Sequence, residues 1–91
     1  LANHPSALKR ARQNEQRRKR NQSIKTRVRN LMKKVNKAVE DRSIPEAESA
    51  LRQTVAGIHK ASAKRVLHRR TADRYISRLS RKVSALSQRV S

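Results

Sequence analysis

Cysteine, phenylalanine and tryptophan are absent from this chain of 91 residues, and Tyr75 is its one aromatic side chain. Without cysteine there are no disulfides and no thiolate metal ligands, which fits a reducing compartment. Without aromatics a core must be built from Leu, Val, Ile and Ala, which bury less surface per residue. The hydrophobic fraction is 34%, against the roughly 45–50% of ordinary soluble domains, so that core is thin. No apolar run approaches the roughly 20 residues of a membrane span, and no signal-peptide core is visible.

Acidic residues are scarce as well. Six Asp and Glu stand against 25 Lys and Arg, a net charge of +19. Such an excess opposes the compact state of the chain and implies a polyanionic partner. The charge is unevenly placed: residues 1–39 carry a net +12, residues 40–59 a net −2 and residues 60–91 a net +9. Two basic segments flank a weakly acidic one, so one side of the molecule is expected to meet the polyanion while Glu40, Asp41, Glu46 and Glu48 face away.

Apolar residues recur at Ile24, Val28, Leu31, Val35 and Ala38, with Met32 and Val39 alongside. That spacing is a helical seam. Continued backwards it lands on Asn21, Arg17, Asn14 and Arg10, so the seam turns polar while helix-favouring residues continue. The pattern predicts one helix from about Ser6 to about Glu40, roughly 50 Å long at 1.5 Å per residue and packed only in its second half. "EDRSIPEAE" ends it, with Pro45 suited to the first turn of a second helix. Ser43 and Glu46 have capping-box spacing, and Glu46 and Glu48 suit the positive end of the helix dipole. The second seam reads Ala47, Leu51, Val55, Ile58 and Ser62, with Gly57 allowing close helix approach. The third reads Ala72, Ile76, Leu79, Val83, Leu86 and Val90, with Thr71 as expected N-cap and Asp73 in the first turn. A tight turn is expected within "KRVLHRRT". Nothing alternates with a β period, and the expected fold is an all-α antiparallel three-helix bundle whose long first helix projects its basic half. One domain spans residues 1–91, with a basic extension over about 6–23 and the bundle over about 24–90.

Catalysis finds no footing. His4, His59 and His68 are scattered, without the i,i+4 pair and nearby acid of a helical zinc site. A phosphate-binding glycine loop, a cysteine nucleophile and a catalytic carboxylate pair are missing, so no enzyme, cofactor, metal or small-molecule substrate is expected. The signal lies in the basic residues. Lys9, Arg10, Arg12, Arg17, Arg18, Lys19 and Arg20 surround the first helix, followed by Lys25 and Arg27. Arg74, Arg78 and Arg81 lie opposite the third seam. Lys60, Lys64 and His68 would form an i,i+4,i+8 row leading into Arg69 and Arg70. Charge runs are usually solvated faces, but those mix signs, and whole segments here do not.

Three partners compete. A leucine-zipper DNA binder has this outline, yet the apolar repeat stops near Val39 and Pro45 follows, short of three to four heptads; a nucleoid-type DNA binder stays open. A membrane-surface helix wants Trp, Phe or many Leu on its apolar face, and the most basic stretch has no apolar face. Folded RNA fits best, read by shape and phosphates, since stacking platforms are lacking.

The segment "ANHPSALKRARQNEQRRKRN" resembles the N-terminal signature of the bacterial-type small-subunit ribosomal protein S-twenty family. Ala2, Asn3, Ser6, Ala7, Lys9, Arg10, Arg12, Glu15, Arg17, Arg18 and Asn21 carry the match. "MKKVNKAVE" is similar to the family's next block, and "KRVLHRRTADRYISRLSRKV" to its third, through Lys64, His68, Ala72, Arg74, Ser77, Arg78 and Leu79. The resemblance implies a three-helix bundle that binds 16S-type rRNA directly, at the 5′ domain and the long penultimate stem, and acts early in assembly beside other small-subunit components. Lys9, Arg10, Arg12, Arg17, Arg18, Asn21, Lys64, His68, Arg74 and Arg78 would make the contacts. Lys19, Arg20, Lys25, Arg27, Arg69, Arg70, Thr71 and Arg81 join them as candidates from the basic pattern. The chain departs from the family pattern at Arg65, where glycine is usual, at Arg70, where asparagine is common, and at Asp73, where a small residue stands. Arg65 takes a left-handed turn less cheaply than glycine, so a differently shaped turn is expected. Leu1 in place of Met suggests processing or an incomplete chain, compatible with a ribosome of the bacterial cytoplasm or of an organelle, a plastid above all.

Overall fold

The computed structural model describes residues 5–90, with Pro5 and Val90 as backbone only. Ala2, Asn3 and His4, and the side chain of Val90 at the end of the third seam, lie outside the described residues. Three helices run in sequence: α1 over Pro5–Glu40, α2 over Ile44–Ala63 and α3 over Arg69–Val90. The all-α three-helix bundle with a long first helix is therefore the observed fold. Its shape is a rod with extents of 67 × 22 × 14 Å and a radius of gyration of 18.0 Å, where a compact chain of this length would have about 12 Å. Its accessible surface is 7477 Å², against about 5,400 Å² for a globular protein of this mass.

The excess surface is the front half of α1. Every residue from 6 to 20 is exposed, Asn21 and Ile24 are half-buried, and Val28 is the first buried side chain. From there Val28, Val35 and Ala38 of α1 meet Ala47, Ile58 and Ala61 of α2 and Ala72, Leu79, Val83 and Leu86 of α3. Four of these ten are alanine, so the helices approach closely instead of enclosing a deep core.

α2 lies between its neighbours and packs more extensively on α1 than on α3. Its buried residues are Ala47, Thr54, Ile58 and Ala61, a face rotated from the expected seam: Leu51, Val55 and Ser62 are only half-buried. Thr54 is polar by type yet wholly buried, because its hydroxyl finds partners inside. Its Oγ1 lies 2.7 Å from the Ala50 carbonyl oxygen and 3.1 Å from that of Leu31, so the one O–H is shared between its own helix and α1.

Both interhelical corners use the same device. At the end of α1, the Arg42 N–H donates to the Val39 carbonyl and the Ser43 N–H to the Ala38 carbonyl, each at 3.1 Å. At the end of α2, the Arg65 N–H donates to the Ser62 carbonyl at 3.0 Å and the Val66 N–H to the Ala61 carbonyl at 2.9 Å. These are paired Schellman closures, which need a left-handed residue just past the helix. Arg42 (φ 56) and Arg65 (φ 61) fill that position. The turn after Lys64 thus takes the form a glycine would give it, and the expected difference in shape does not occur. The hydrogen bonds of the closure and the packing of Val66 and Leu67 on the core outweigh the steric cost of an arginine there.

Four expectations about the helix ends are corrected. Ser43 is the N-cap of α2 but makes no side-chain cap hydrogen bond; Pro45 occupies the second helical position, so one of the two amides such a cap serves is missing. Glu46 alone provides an acid in the first turn of α2, since Glu48, two residues further on, already lies in the second turn. Thr71 does not cap α3, which begins at Arg69. His68 does so instead: its carbonyl accepts from the Ala72 N–H at 3.0 Å and its Nδ1 from the Arg70 N–H at 3.1 Å. The earlier start puts Asp73 beyond the first turn.

Candidate nucleic-acid interface

The candidate residues fall into two groups. Lys9, Arg10, Arg12, Arg17, Arg18, Lys19 and Arg20 are all exposed on the unpacked half of α1. At 3.6 residues per turn they point around the helix in every direction, so this half of α1 has no apolar stripe with which to seek a protein partner. Leu8, at 54% exposure, is the one large apolar side chain there.

The second group is gathered by the fold at the root of that projection. A groove between α1 and α2 is lined by Ile24, Arg27, Val28, Gly57, Lys60, Ala61 and Lys64. Arg27 thus comes beside Lys60 and Lys64, although a long stretch of sequence separates them. Exposed Lys25 and half-buried Asn21 belong to the same stretch of α1. The row Lys60, Lys64 and His68 is not formed as a helical face: α2 ends at Ala63, Lys64 is its C-cap, and His68 lies across the turn. The turn delivers His68, Arg69 and Arg70 to the surface all the same, followed by half-buried Thr71. Arg74, Arg78 and Arg81 then run exposed along α3, carrying the positive surface away from the root. The Arg74 guanidinium lies 5.8 Å from the centre of the Tyr75 ring, a cation–π contact that restrains the head without neutralising it.

Four of the six acids lie elsewhere, while Glu15 is exposed on the projecting half of α1 and Asp73 on α3 beside Arg74. Glu40, Asp41, Glu46 and Glu48 are exposed at the α1–α2 corner, and Asp41 and Glu46 border a depression with Lys34, Lys37, Ala38 and Ala50. Lys60, Arg42, Lys82 and Arg89 were not among the candidates. Lys60 carried a sequence signal through its spacing from Lys64; the other three become neighbours only through the fold. Among the described residues no group of His, Asp or Glu is placed to hold a metal ion, and no helix is long and apolar enough to cross a membrane.

A small all-α protein with a thin core, a projecting cationic helix and a strongly positive surface has the character of a polyanion-binding protein. The family model described as ribosomal protein S20 matches residues 2–84. Relatives named small ribosomal subunit protein bS20 are similar over nearly the whole chain. That of Desulfatibacillum aliphaticivorans is 54% identical, covering 96% of this chain and 99% of its own length. Those of Syntrophus aciditrophicus and Syntrophobacter fumaroxidans are 51% and 44% identical, covering 93% and 94% of this chain and 96% and 100% of their own. The chain belongs to the ribosomal protein S20 family. These relatives are bacterial, and the plastid alternative is not borne out.

Proposed function

We propose that the chain is a structural component of the bacterial small ribosomal subunit that binds 16S-type rRNA directly and stabilises its folded shape early in assembly. It is not an enzyme; its family consists of ribosomal proteins. In this reading it acts as one rRNA-binding domain, with residues of about 6–23 as an extension and about 24–90 as the bundle, beside other small-subunit components. The 5′ domain and the long penultimate stem are the proposed targets.

The observation that carries the reading is a helix exposed at every residue from 6 to 20. A helix without tertiary partners is marginal in water, and repulsion among Lys9, Arg10, Arg12, Arg17, Arg18, Lys19 and Arg20 weakens this one further. Phosphates laid along it would remove the repulsion and supply the missing contacts, with guanidinium forks suited to paired phosphate oxygens. Asn21, Lys25, Arg27, Lys64, His68, Arg69, Arg70 and Thr71 would continue the contact at the root, and Arg74, Arg78 and Arg81 along α3.

The test replaces Arg17, Arg18, Lys19 and Arg20 with Gln, which keeps helix propensity, and measures affinity for a 5′-domain rRNA fragment. Arg52→Gln, on the acidic middle segment, is the control. At least a tenfold loss is expected for the fourfold variant and none for the control; wild-type affinity in both would overturn the reading.

A further inference from the structure

We infer that the groove between α1 and α2, at the root of the extension, seats one unpaired base of the bound RNA, so that the protein reads an extruded nucleotide as well as phosphates. This seat rests on the rRNA-binding reading above and deepens it. The floor of the groove is apolar: Ile24 and Val28 of α1 and Ala61 of α2 form it, and Gly57 adds backbone only. Three cations stand around that floor, Arg27 on the α1 wall and Lys60 and Lys64 on the α2 wall, and all three are exposed. The lining holds no carboxylate. Glu15 on α1 and Glu48 on α2 lie nine residues before Ile24 and Gly57 respectively, roughly 13 Å away at 1.5 Å per residue.

The sequence explains why an apolar surface is left open here. Ile24 is the last apolar residue of the α1 seam, which continues to Asn21 and Arg17, and α2 ends at Ala63. The pairing of the two helices therefore runs out near Ile24. Val28 is buried, whereas Ile24 and Asn21 are half-buried. A chain with a hydrophobic fraction of only 34% thus leaves part of an isoleucine uncovered where its two most extensively packed helices part.

What fits such a place is a flat ring that carries anions. The groove has a volume of about 60 Å³, too little to enclose a free small molecule, for which pockets of about 300 Å³ or more are usual. A base on an RNA strand needs no enclosure, because the strand is held on either side and only the ring has to be covered. Its flanking phosphates meet Arg27, Lys60 and Lys64. Phosphate contact alone gains nothing from an apolar floor. A base of a loop or bulge does, since its faces are no longer stacked.

The neighbouring surface favours RNA over an acidic protein segment bearing an apolar side chain. Exposed Arg20 and Lys25 flank the groove along α1, and exposed His68, Arg69 and Arg70 follow Lys64 in the turn. A strand that runs from the extension to the turn passes over the groove. Asn21 stands one turn before Ile24 on the same seam, and its amide offers a donor and an acceptor to the edge of a base.

Ile24→Lys separates the two ways of binding. It adds a cation, so contact through phosphates alone is kept or strengthened, while a seated base loses its floor. Gln22→Lys adds the same charge on the same turn, outside the groove, and is the control. Asn21→Lys removes the amide where the seam is already polar, so it tests the seat even if Ile24→Lys fails to fold, which thermal unfolding reports. Unpaired bases of a 5′-domain rRNA fragment are modified with dimethyl sulfate, kethoxal and carbodiimide, with and without each protein, and affinity is measured at fixed salt. Wild type and Gln22→Lys are expected to protect one same unpaired base. Ile24→Lys and Asn21→Lys are expected to leave it reactive, and Ile24→Lys to bind about fivefold more weakly despite its added charge. Unchanged base protection in both groove variants, or preferential rRNA binding by wild type with no unpaired base protected, would overturn the seat and leave the groove to an acidic protein segment or to solvent. Wild type that protects no base and binds the fragment no better than duplex DNA would overturn the rRNA reading itself, and the seat with it.

Discussion

Leu31 occupies the space that a side chain at Gly57 would need: a Cβ built on Gly57 stands 2.7 Å from Leu31 Cδ1. The only glycine of the chain therefore lies in mid-helix for packing and not for a turn. It lets α2 approach α1 closely enough for Thr54 to reach the Leu31 carbonyl. The helical cost of glycine, about 1 kcal/mol relative to alanine, is offset by the leucine it admits.

That relationship predicts coupling. Gly57→Ala in the wild-type background gains helix propensity but pushes Leu31 aside, and stability should change by less than about 0.5 kcal/mol. In a Leu31→Ala background the same change should stabilise by close to the full amount, about 1 kcal/mol. Urea unfolding of the four proteins measures it; equal effects in both backgrounds would show that the two residues are independent.

Arg65 holds a left-handed backbone that glycine adopts freely. Arg65→Gly should raise the stability of the free protein by about 0.5–1 kcal/mol, the relief of steric cost less the added freedom of the unfolded chain. Arg65→Val, β-branched at positive φ, should lower it by about 1 kcal/mol or more. Thermal unfolding distinguishes the two, and a loss of stability in Arg65→Gly would show that the side chain itself holds the turn.

His68 caps α3 through Nδ1. His68→Ala should cost about 1 kcal/mol, while His68→Asn, whose side-chain oxygen can accept the same amide proton, should recover most of it. Chemical denaturation of the free protein tests this without RNA; an equal loss in both variants would remove the cap from the account.

The unpacked half of α1 should fray when nothing neutralises it. Amide exchange in the free protein is expected to be fast over residues 9–23 and slow over residues 28–39, with 9–23 becoming protected on binding rRNA. Equal protection of the two stretches without RNA would contradict the phosphate-held extension.

The seams of α1 and α3 were legible in sequence because each buries a single stripe: Val28, Val35 and Ala38, and Ala72, Leu79, Val83 and Leu86, recur at helical spacing. α2 was legible only in part: Ala47 and Ile58 of its expected seam are buried, but the buried face also takes in Ala61 and Thr54, a residue whose type predicts exposure until its hydroxyl is seen to be satisfied by Ala50 and Leu31. The caps were misread for a related reason. His68 and the left-handed Arg42 and Arg65 belong to residue types with little preference for those positions, and they are held there by backbone hydrogen bonds. The basic extension was plain from charge alone. The meeting of Ile24 and Arg27 with Lys60 and Lys64 was invisible, since only the return of α2 alongside α1 makes them neighbours.

The central claim is that this positive surface is shaped for folded rRNA. The most direct measurement is binding of the whole chain to a 5′-domain rRNA fragment in competition with equal-length duplex DNA across a salt series, each neutralised phosphate adding roughly 0.7–0.9 to the log–log slope. A preference for rRNA that persists as salt rises is the predicted result. Equal binding to both polymers, lost together with salt, would contradict it and leave a general polyanion binder.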